Sequence, residues 1–141
     1  MASNSKIDRL RGVPLFSACT DKELAQIGRA CDEMMVDADV VVVEEGAAGE
    51  DFYLVVEGEA SVSRGGRHVA NVGVGGYFGE LALLGGAPRN ATVTAKTPMT
   101  LVRLGRREFS AVLDSWPGVA YKLLEHVARR LRLADEKAVT N

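Results

Sequence analysis

The sequence predicts an α+β domain, mainly β: an antiparallel β-roll of the jelly-roll kind with helices before it and two helices after it. Three observations point there. A chain of 141 residues, 47% hydrophobic and 26% charged, has room for one packed domain with one modest core. Its hydrophobic period is helical at both ends and short and alternating in the middle. Eleven of its fifteen glycines fall between Gly46 and Gly86, where turn residues separate short β-branched runs at the spacing of a sandwich or barrel.

The elements follow in order. Ile7, Leu10 and Arg11 read as helical up to the break at Pro14, and Thr20-Asp21-Lys22-Glu23 has the spacing of a capping box opening a helix through Leu24 and Ile27. Val40 to Val43 and Phe52 to Val56 are strand-like runs. Ala60-Ser61-Val62-Ser63 alternates before Arg64-Gly65-Gly66-Arg67, a two-glycine hairpin turn with polar flanks, and Val69 and Val72 continue the returning strand. Ala91 to Ala95 and Met99 to Leu104 repeat the pattern. Phe109, Val112 and Leu113 then share a helix face that closes at Trp116-Pro117-Gly118, where a second helix begins. Its stripe is Val119, Leu123, Leu124, Val127, Leu131 and Ala134, flanked by Lys122, Glu125, Arg129, Arg130 and Arg132. The whole chain, 1–141, is read as a single domain, with flexible tails at about 1–5 and 136–141.

The net charge of −2 hides an uneven distribution: Asp32 to Glu59 holds ten acidic residues and no Lys or Arg, which leaves the remainder at +8. Several functions are excluded by counting. His68 and His126 are the only histidines, and with Cys19 and Cys31 they give no zinc spacing, so no metal site and no cofactor are expected. The sequence lacks G-x-S-x-G, H-E-x-x-H and G-x-x-x-x-G-K, and Gly73-Val74-Gly75-Gly76-Tyr77-Phe78 misses the third glycine of a dinucleotide fingerprint. With neither a nucleophile–base pair nor a metal set, an enzyme is not expected. No apolar run is long enough to span a membrane, the first residues have no apolar signal core, and two cysteines suit a reducing compartment, so a cytoplasmic location is expected. The Lys122 to Lys137 segment carries five basic and three acidic residues, too few for a phosphate-tracking surface, so direct nucleic-acid binding is not expected.

One stretch resists these exclusions: Phe78-Gly79-Glu80-Leu81-Ala82-Leu83-Leu84-Gly85-Gly86-Ala87-Pro88-Arg89-Asn90-Ala91-Thr92-Val93. A glycine turn opens a short apolar segment whose first N–H groups, from about Leu81 and Ala82, attract anions. Arg89, planar and permanently charged, arrives from the other end of the loop. Glu80 is repulsive beside an anion unless it accepts hydrogen bonds from a hydroxyl or pairs with the arginine. The pattern suits a phosphate next to sugar hydroxyls. Glu45-Gly46 and Gly49-Glu50 are read as β-turns without chemistry, and Phe109 and Trp116 as packing residues.

This stretch resembles the phosphate-binding cassette of the cyclic nucleotide-binding domain family, found in regulatory subunits of cyclic-AMP-dependent kinases, catabolite-activator-type transcription regulators and some ion channels. The resemblance extends to Val13-Pro14-Leu15-Phe16, to Glu45-Gly46 with Gly49-Glu50-Asp51-Phe52-Tyr53 and Gly58, and to Arg107-Glu108-Phe109, and covers about Leu10 to Leu133. It implies a non-catalytic sensor. Gly79 and Glu80 would face the ribose 2′-OH, the amides of Leu81, Ala82 and Ala91 would hold the cyclic phosphate, Arg89 would neutralise it, and Val72 and Gly73 would line the sugar side. The last helix, carrying Tyr121, Leu124 and Arg132, would serve as a lid that moves on binding.

Two positions depart from the family's pattern. Asp39 stands where a glycine is usual before the first strand and can adopt a left-handed turn at modest cost. Asn90 follows the arginine, where alanine accompanies cyclic AMP and threonine cyclic GMP; its amide can pair with either purine edge. Cyclic AMP is the expected ligand and cyclic GMP the alternative. The competing expectation is a degenerate roll that serves as a homodimerisation or protein-interaction module through Val119, Leu123, Val127 and Leu131 of the C-terminal helix, or the sensor fragment of a longer regulator.

Overall fold

A computed structural model of the chain describes residues 2–85 and 88–140. Its contacts gather into two compact units. One is formed by the two ends of the chain, up to Gly28 and from Ala111 onward; the other is Arg29–Ser110.

The terminal unit holds α1 (Ala2–Arg11), a 3-10 turn at Pro14–Phe16, α2 (Asp21–Arg29) and α4 (Pro117–Thr140). The capping box at the start of α2 is formed in both directions: the Thr20 amide donates to Glu23 Oε1 at 2.8 Å and the Glu23 amide to Thr20 Oγ1 at 3.2 Å. Glu23 is 7% exposed, unusual for a carboxylate, and Lys122 of α4 donates to the same Oε1. Burial alone would push this carboxyl up, but the hydrogen bonds from Lys122 and Thr20 outweigh it and hold Glu23 below the usual carboxylate range. Burial, with the Glu23 charge, pushes the Cys19 thiol up to about 11, so it stays protonated. The two helices also extend further than expected. Residues 2–5 and 136–140, read from sequence as tails, are helical, and neither segment contains Gly or Pro to stop propagation.

In α4, Val119 and Leu123 are fully buried, at 0% and 2% exposure. Their burial leaves them no surface to offer a partner, which removes two of the four residues of the sequence-based interface. Among the described side chains, the exposed large apolar residues of this helix are Leu131, which belongs to that set, together with Tyr121, Leu124 and Leu133. No helix among the described residues is long and apolar enough to cross a membrane.

The second unit is built of β1 (Asp32–Val36), β2 (Val41–Val43), β3 (Asp51–Glu57), β4 (Ala60–Arg64), β5 (Arg67–Val72), β6 (Tyr77–Phe78), β7 (Thr92–Ala95) and β8 (Met99–Gly105). They form two four-stranded antiparallel sheets, ordered β1-β8-β3-β6 and β2-β7-β4-β5. Alternation is clean in β7, where Val93 and Ala95 point inward. In β3, Phe52 through Val55 are buried in succession, as suits a strand covered on both faces. Tyr53, Val55, Ala60, Val93, Ala95, Met99 and Leu101 form the core of the roll. The β4–β5 turn has both glycines at positive φ, 59° at Gly65 and 79° at Gly66, the geometry of a type I′ hairpin. Asp39 sits at φ 72° with its amide donating to the Ala95 carbonyl at 2.7 Å. The chain continues from β8 into α3 (Arg106–Ser115), and α4 starts one residue later with Pro117 at its first position.

Candidate functional site

A cleft of about 580 Å³ opens in the roll, within the range of small-molecule sites. Its apolar wall comes from inward residues of both sheets, among them Val43, Val62 and Phe78. Phe78 stacks on Tyr53 with ring centroids 5.1 Å apart, which fixes the short strand β6 just before the glycine turn.

Arg89 supplies the principal charge. Its backbone is clamped by the β2–β3 loop: the Arg89 amide donates to the Ala47 carbonyl at 2.9 Å and its carbonyl accepts from the Gly46 amide at 2.8 Å. Its guanidinium donates from Nη2 to the Asp51 carbonyl at 2.8 Å. Two glycines make room for it. A Cβ at Gly49 would clash with Arg89 Nε and Cζ, and a Cβ at Gly79 would lie 2.5 Å from Nη1 and 2.7 Å from the Asp51 carbonyl. Gly79 also has φ 81°, which a side chain would strain. Among the described residues no carboxylate lies within ion-pair distance of Arg89. The Arg89–Glu80 pair considered from sequence is not formed, and the guanidinium lines the cleft with its charge uncompensated.

Glu80 opens a 3-10 turn, Glu80–Leu83, and also lines the cleft, as do Gly79, Ala82, Asn90, Ala91 and Val72. The Leu81 backbone lies in that turn. Within it the Ala82 amide donates to the Gly79 carbonyl at 3.1 Å. Gly73 is not among the lining residues; its carbonyl closes a β-turn with the Gly76 amide at 2.9 Å. Gly86 and Ala87 lie outside the described residues.

Two participants were not singled out from the sequence. Gly49, read as a turn glycine, has its Cα packed against Arg89. Arg64, read as a hairpin flank, lines the cleft and donates from Nε to the Asn90 carbonyl at 2.9 Å. A cation with no ion-pair partner among the described residues, beside backbone donors and one carboxylate, can hold an anionic group next to a hydroxyl.

The family model for the cyclic nucleotide-binding domain matches residues 33–115, a span that holds β2 to β8, all of β1 but Asp32, and every cleft residue named above. The chain belongs to the cyclic nucleotide-binding domain family. It is 42% identical over 106 residues to a cAMP-dependent protein kinase regulatory subunit of Yarrowia lipolytica, covering 74% of this chain and 28% of the relative. It is 36% identical over 108 residues to a cyclic nucleotide-gated potassium channel of Rhizobium etli, covering 77% and 30%. The chain thus spans less than a third of the length of these curated relatives. Among solved structures, the N-terminal domain of a transcriptional regulator from Streptomyces coelicolor superposes with a TM-score of 0.86 at 35% identity, covering 92% of this chain and 96% of that one. In cyclic nucleotide-binding domain terms, the Phe78–Val93 stretch is the segment read from sequence as the phosphate-binding cassette.

Proposed function

We propose that the roll binds a cyclic nucleotide, cyclic AMP in preference to cyclic GMP, and acts as a non-catalytic sensor. The observation that carries this reading is the guanidinium of Arg89, held between two glycines in the wall of the cleft with no carboxylate to neutralise it among the described residues. A half-buried cation without a counter-ion is costly, and a cyclic phosphate relieves that cost. In the proposed complex Arg89 neutralises the phosphate and Leu81, Ala82 and Ala91 supply amides. The Ala82 amide reaches it by sharing or exchanging its bond to the Gly79 carbonyl. Glu80 accepts from the ribose 2′-OH, Gly79 and Val72 contact the sugar side, and Gly73 supports that wall through its turn. Asn90 faces the purine. Helix α4 is the moving output element.

Titration calorimetry with cyclic AMP and cyclic GMP tests the reading. Saturable binding of either, lost on Arg89→Leu, is the expected result; no binding of either would overturn it. The exposed Tyr121, Leu124 and Leu131 of α4 favour a second reading, a homodimerisation module. Sedimentation with and without nucleotide separates the two, because a nucleotide-independent dimer that binds no ligand supports only the second.

A further inference from the structure

We infer that Arg64 is a positioning residue of the ligand site, orienting the peptide between Asn90 and Ala91 so that the Ala91 N–H is presented to the phosphate. The inference rests on the cyclic-nucleotide reading. Across a trans peptide the carbonyl and the N–H point in opposite directions, and no cis bond occurs among the described residues. Arg64 Nε holds the Asn90 carbonyl at 2.9 Å. Whatever fixes that carbonyl therefore fixes the direction of the Ala91 N–H. Among the described residues that N–H has no backbone acceptor of its own and is available to a ligand oxygen.

Arg64 can act this way because its own position is set. It is the last residue of β4, and the next residue, Gly65, donates its amide to Glu45 Oε1 at 2.9 Å. The Glu45 amide in turn donates to Thr92 Oγ1 at 2.9 Å. One residue on, the Gly46 amide holds the Arg89 carbonyl. The hairpin turn, the β2–β3 loop and the arm carrying Arg89 are thus cross-linked by hydrogen bonds at Arg89, Asn90 and Thr92. Arg64 is the member of this set that acts on the 90–91 peptide.

The test is calorimetry of Arg64→Met with cyclic AMP and cyclic GMP, together with amide NMR of the ligand-free protein. Loss of one hydrogen bond that orients a ligand donor should weaken both nucleotides alike, by about 3- to 10-fold. The Ala91 amide resonance should move in the free protein while the melting temperature stays close to wild type, since Arg64 is exposed. The loss should persist at about 0.5 M salt, where the contribution of an exposed charge is screened. Unchanged affinity overturns the inference, and so does a loss that vanishes at high salt, which would make Arg64 a general charge. Wild-type protein that binds neither nucleotide overturns the functional reading, and this inference with it.

Discussion

The place where a Cβ of residue 49 would stand is occupied by the guanidinium of Arg89. Gly49 has no positive φ among the glycines that do, so its role is one of space and not of turn geometry. Gly49→Ala must therefore displace Arg89. Overpacking of this kind costs about 1 to 3 kcal/mol, and in the proposed complex it would move the guanidinium away from the phosphate. Thermal unfolding should show the destabilisation, and calorimetry a loss of at least about tenfold in nucleotide affinity.

Arg89→Leu separates binding from folding. The guanidinium hydrogen-bonds one backbone carbonyl and pairs with no acid among the described residues. Removing one partner of a desolvated charge pair costs about 2 to 5 kcal/mol, so affinity should fall by roughly 30-fold to several thousandfold. The melting temperature should change little, and an equally large loss of stability would show that the side chain serves the fold first.

Glu80 tests the sugar. Glu80→Ala should narrow the preference for the ribonucleotide over its 2′-deoxy analogue, because the variant has no acceptor for the hydroxyl. Competition between the two nucleotides reads this directly; discrimination that survives intact removes Glu80 from the ribose.

The buried Glu23 predicts an acid-sensitive stability. Its folded-state carboxyl lies below the ordinary value, so the folded state binds the proton less readily than the unfolded chain. The contribution is therefore fully present above about pH 4.3 and is lost as pH falls through the lowered folded value. Lys122→Met, which leaves Glu23 buried without its ammonium, should cost about 1 to 3 kcal/mol at neutral pH. Urea unfolding should show that difference shrinking as the medium is acidified.

Asp39 at φ 72° carries a modest strain that glycine would not. Asp39→Gly should be neutral or slightly stabilising, whereas Asp39→Val should cost about 1 to 2 kcal/mol. Denaturant midpoints check both.

Much of this architecture is legible in the residues because the signals are local. Thr20 and Glu23 announce a helix start, Gly65-Gly66 a primed hairpin, and Pro117 a second helix, and each is found there. Two strands leave little local signal. β1 reads Asp-Glu-Met-Met-Val and exists by pairing with β8, with Asp32 opposite Arg103. β6 is two residues long and is held against β3 by the stacking of Phe78 on Tyr53. The cleft divides in the same way. The stretch around Arg89 is continuous in sequence and can be read as an anion site, but Gly49 and Arg64 lie 40 and 25 positions before Arg89 and join it only through the fold. The stripe on α4 was visible as a period, yet a period does not say which half is covered; Val119 and Leu123 are interior and Leu131 is not.

The hydrogen bond from Arg64 to residue 90 is taken by a main-chain carbonyl, a group that every amino acid supplies. The scaffold therefore makes no demand through this bond on the identity of the side chain there. On the proposed reading, in which Asn90 faces the purine, position 90 can be exchanged without loosening the arm that carries the cation, which would separate choice of base from capture of phosphate. A library confined to that one codon should yield proteins of nearly equal stability that differ in the purine they prefer.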